Sequence, residues 1–68
     1  MDQQETDQLV GQLFVLITGL FEDGAGLAME GQVPRSKDVP GLIAELRTIA
    51  QDIGHLLDVA EVALRHID

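Results

Sequence analysis

The residues of this chain that could do chemistry are few. Asp52 and His55 stand at i and i+3, a spacing that puts a carboxylate and an imidazole on one helical face, as in the Glu-x-x-His element of di-iron bundles. Such a centre also needs carboxylates from the facing helices. A hairpin folded about residues 34 and 35 sets Asp52 and His55 against Ile17 and Phe14, with Glu22, Asp23 and Glu30 a turn or more away. Asp52 and His55 are thus candidates without a complete ligand set, and no metal or cofactor is expected. His66 lies three turns beyond His55, too far to share an ion with it. Ser36 is the only serine; it sits between Arg35 and Lys37 and far from both histidines, which suits a helix cap better than a nucleophile. The glycines of the stretch GAGLAMEG, Gly24 to Gly31, follow no strand and match neither a dinucleotide nor a P-loop spacing. The chemistry points to a protein that is not an enzyme.

The elements that carry these residues are helical. Leu42, Leu46, Ile49, Ile53, Leu56, Ala60, Ala63 and Ile67 follow one another at spacings of four and three, an unbroken heptad seam. Beside it Ile43, Ala50, Leu57 and Leu64 recur every seven residues, so the apolar surface is wider than one partner helix requires. The first half carries two tracks: Leu9, Leu13, Leu16, Leu20 and Leu27, and one residue behind it Val10, Phe14, Ile17, Phe21, Gly24 and Ala28. Asp23 continues the first track, which places it at the core margin within reach of Arg47. Between the halves, EGQVPRSKDVPG has turn and helix-start composition, with Gly31 suited to a C-cap, Ser36 or Asp38 to an N-cap and Pro40 to a first turn. The glycines at 19, 24 and 26 allow either a break near residues 23–26 or, at Gly24 and Ala28, close approach of a neighbouring helix. The expectation is one all-α domain over residues 1–68. Helix 1 covers about residues 4–30, a turn 31–37 and helix 2 about 38–67, folded back as an antiparallel hairpin.

Composition limits what such a hairpin can do alone. From Gln8 to Phe21 the sequence QLVGQLFVLITGLF carries no charge, although the chain as a whole has twelve acidic and four basic residues and a net charge of −8. A chain of 68 residues buries about 60% of its unfolded surface, and with no cysteine it has no disulfide to supplement its core. Two helices can cover only one stripe of each other, so the remaining tracks need another partner. The simplest is a second copy, giving a homodimeric four-helix bundle with Phe14, Ile17, Phe21, Gly24, Ala28, Ile43, Ala50, Leu57 and Leu64 at the interface. The acidic balance repels phosphate backbones and anionic lipid, which argues against direct nucleic-acid binding. The uncharged run is shorter than the roughly 17 residues a membrane span needs, and the acidic start MDQQETD lacks the positive region of a secretory signal. The expected setting is therefore cytoplasmic. The function that follows is an interaction or scaffold protein acting on itself. The alternative is an acidic inhibitor that imitates a nucleic-acid backbone and occupies the basic groove of a protein partner.

Overall fold

The computed structural model describes residues 2–33 and 38–66. They form two helices packed against each other, α1 (Gln3–Gln32) and α2 (Val39–Arg65), with no strand among the described residues. Ser36 as a cap, Ile67 at the end of the seam and most of the expected turn lie outside them.

Each helix start is fixed by an aspartate. Asp2 accepts the Glu5 backbone N–H at 2.8 Å, so Glu5 and Asp7 lie inside the first two turns, where their charge favours the positive helix end. Asp38 does the same for α2, accepting the Gly41 N–H at 3.0 Å, and Pro40 sits in the first turn, where it removes no helical hydrogen bond. At its far end α1 runs through Gly31 to Gln32, so Gly31 is helical and not the cap. The stop comes from the next proline: Val33 precedes Pro34 and adopts φ −74°, ψ 126°, the extended conformation that a following proline ring imposes.

The α2 seam lies inward as its spacing predicts. Leu42, Leu46, Ile49, Ile53 and Leu56 are half-buried and Ala60 and Ala63 buried, whereas Ile43, Leu57 and Leu64 are exposed. In α1 the inward line alternates between the two expected tracks, running Thr6, Val10, Leu13, Ile17, Leu20, Gly24 and Leu27. Thr6 is fully buried, its hydroxyl donating to the Asp2 carbonyl at 3.0 Å. There is no break at residues 23–26. A Cβ at Gly24 would meet Ile49 and Leu46 side chains at 3.7 Å, ordinary contact with room for a methyl group, while Gly11, Gly19, Gly26 and Gly54 border open space.

The product is a thin rod. Its Cα extents are 54 × 15 × 10 Å and its radius of gyration 15.8 Å, against about 11 Å for a compact chain of this length. Among the described residues Leu13, Ile17, Ala60 and Ala63 form the buried apolar core.

Candidate interaction surface

The hairpin has two dissimilar sides, set by which residues flank the seam. Gly24 opposite Leu46 and Ile49 fixes the register, and residues seven apart share a line along each helix. On one side Phe21, Ala25 and Ala28 of α1 border a shallow groove with Ala50 of α2. Steps of seven extend that side to Phe14 on α1 and to Ile43, Leu57 and Leu64 on α2, all exposed. Phe14 is 53% and Phe21 61% exposed, large values for the only aromatic side chains in the chain. The adjoining line of α1, Gly11, Thr18 and Ala25, is also uncharged, and the Thr18 hydroxyl is already engaged by the Phe14 carbonyl at 2.9 Å. No acidic residue of α1 falls on these two lines between Gly11 and Gln32.

The other side carries the acids. Glu22, Asp23, Glu30 and Glu45 line one groove near the turn-side end, and Asp23, Asp52 and His55 line the next with Leu16, Gly19, Leu20 and Leu56. Asp52 and His55 thus stand near Asp23, not opposite Ile17 and Phe14. The difference arises because α1 continues to Gln32 and α2 starts at Val39, which shifts the register by about one turn. Even so, no group of three or more His, Asp or Glu side chains close enough to hold a metal exists among the described residues. Asp23 is exposed, and it does not pair with Arg47, which stands on the opposite side of the seam. Among the described residues the ion pair is Arg65 with Glu61 at 3.8 Å, one turn apart on α2.

Seven of the nine residues expected at an interface therefore lie on or beside one exposed apolar side. Ile17 does not: at 5% exposure it belongs to the hairpin's own core, and Gly24 lies in the seam. The sequence reading passed over the lines just outside them, Gly11–Thr18–Ala25 on α1 and Arg47–Gly54–Glu61 on α2, although their seven-residue spacing was the available signal. Helix α1 is also long and apolar enough to cross a membrane by length and composition, with a mean hydropathy of 1.3 over its most apolar stretch.

The fold and surface define a two-helix hairpin with one largely apolar side, edged on α2 by Arg47 and Glu61, and one acidic side. Set against known protein families, curated proteins and solved structures, the chain finds no match in any of the three.

Proposed function

We propose that the chain is a non-enzymatic helical interaction protein that acts as a homodimer, two hairpins stacked on their apolar sides into a four-helix bundle. The observation that carries this reading is the segregation itself. Phe14, Phe21, Ile43, Leu57 and Leu64 are each roughly half exposed on one side, and the carboxylates of Asp23, Glu30, Glu45 and Asp52 lie on the other. Burying a fully exposed side chain of this size gains about 1.5–3 kcal/mol, so covering the set matters to a hairpin whose described residues include four buried apolar ones. A two-fold axis covers every one of them with the same surface and leaves the acidic sides of both copies pointing outward, where their mutual repulsion is screened. In this reading the chain works in solution in the cytoplasm, binds no nucleic acid directly, and keeps α1 against protein rather than lipid.

Sedimentation equilibrium at micromolar concentration without detergent is the test. A mass near 14.8 kDa, twice the 7.4 kDa chain, is expected. A well-folded species of 7.4 kDa overturns the proposal. The groove lined by Glu22, Asp23, Glu30 and Glu45 favours a second reading, an acidic inhibitor of a basic protein, which requires binding that weakens steeply with added salt.

A further inference from the structure

Resting on the homodimer reading, the charges beside the apolar side also select how the two copies are arranged. Two hairpins can stack face to face about a two-fold axis in two ways. With the axis along the helices, α1 lies over the partner's α2. With the axis across them, each helix lies antiparallel over its own counterpart. Arg47, Gly54 and Glu61 form a line next to the apolar residues of α2, on the side away from the acidic grooves. The two charges are opposite in sign and equally distant from Gly54. Laid antiparallel over a second α2 with the axis at Gly54, Arg47 of each copy meets Glu61 of the other. Among the described residues no ion pair holds Arg47 within its own chain, and the Arg65–Glu61 contact, with side chains 74% and 69% exposed, is too open to compete strongly.

Helix α1 has the same centre of symmetry. Phe14 and Phe21 flank Thr18 along it, so an antiparallel counterpart sets Phe14 of one copy beside Phe21 of the other. The two centres coincide in height. Gly24 faces Leu46 and Ile49, and six residues back along α1 and forward along α2 bring Thr18 level with the interval from Asp52 to His55, which contains Gly54. That level is also the middle of α1, so both rods overlap along their length. The alternative stacking sets Arg47 over Ala25 and Glu61 over Gly11, where neither charge has an opposite. We infer that the dimer has its two-fold axis across the helices at Thr18 and Gly54, with each helix antiparallel to its own counterpart.

The chain has no cysteine, so single thiols can map the axis. For helices about 8–10 Å apart, Cα atoms on facing lines approach to about 4–6 Å, within the reach of a disulfide. Under mild oxidation Thr18→Cys alone and Gly54→Cys alone each yield a covalent dimer, whereas Gly26→Cys, on the acidic side, does not. Crosslinking only in a mixture of Thr18→Cys with Gly54→Cys chains establishes the other stacking and overturns the inference. So does failure of both single variants to crosslink while sedimentation still shows a dimer. A monomer in sedimentation overturns the homodimer reading itself. As a second readout, Arg47→Glu and Glu61→Arg each raise the dimer dissociation constant about tenfold, and the double variant returns it to within about threefold of the parent. An additive double variant refutes the pairing.

Discussion

Replacing Phe14 and Phe21 together by alanine probes the apolar side at its largest side chains. In the hairpin these rings are 53% and 61% exposed, so a little over half of each is available to a second copy. Full burial of phenylalanine gains about 1.5–3 kcal/mol, which leaves about 1–1.5 kcal/mol per ring for assembly. Two rings on each of two copies sum to about 4–6 kcal/mol, or three to four powers of ten in the dissociation constant at about 1.4 kcal/mol per decade. The part of each ring already covered belongs to the hairpin, and its loss lowers stability in a way that does not depend on concentration. Sedimentation with interference optics suits a chain without tryptophan or tyrosine, and circular dichroism melts over a hundredfold range of concentration separate the two contributions. The expected result is a dissociation constant raised about 10³–10⁴-fold and a melting temperature that depends more steeply on concentration. A dissociation constant within about threefold of the parent, with melting uniformly lowered, refutes the reasoning.

Gly26→Ala, where a methyl group meets only open space, should stabilise the chain by about 1 kcal/mol, read as a rise in melting temperature; a fall indicates that something packs on that face. Asp38→Ala removes the α2 cap at a cost of about 0.5–2 kcal/mol. Gly41→Ala should cost a similar amount, because the added Cβ collides with the capping carboxylate, and the double variant should be no worse than either alone when melts are compared. Leu56→Asp, in the seam, should abolish cooperative melting, whereas Asp58→Ala on the exposed face should shift stability by less than about 0.5 kcal/mol. Equal effects of these two changes contradict the inward face assigned to α2.

The sequence made α2 legible and α1 only partly so, for a physical reason. Every seam position of α2 is apolar and its flanking charges, Glu45, Arg47, Asp52 and Glu61, leave one choice of inward face. In α1 the stretch from Gln8 to Phe21 has no charge on any face, so two neighbouring tracks score alike, and packing against α2 takes Leu13 and Leu20 from one and Ile17 and Gly24 from the other. That choice moved Ile17 into the core and turned Phe14 and Phe21 outward. The hairpin register was misread by about one turn because Gly31 resembles a C-cap, while the restriction that Pro34 places on Val33 is what ends the helix. The neighbourhood of Asp23, Asp52 and His55 followed from that register and so could not be read from spacing within either helix.

The order of the two helices along the chain has a temporal meaning. α1 leaves the ribosome first, with Leu13 and Ile17 destined for a seam whose other half has not yet been made. At about 5–20 residues per second, the 27 residues of α2 follow over about 1–5 s. For those seconds the nascent chain displays an apolar segment with the length and composition of a membrane span, diluted with glycines that weaken it as a free helix in water. Whether α1 closes on α2 or is captured by another apolar surface is then a race, and the pace of translation through the intervening turn sets the time allowed for it.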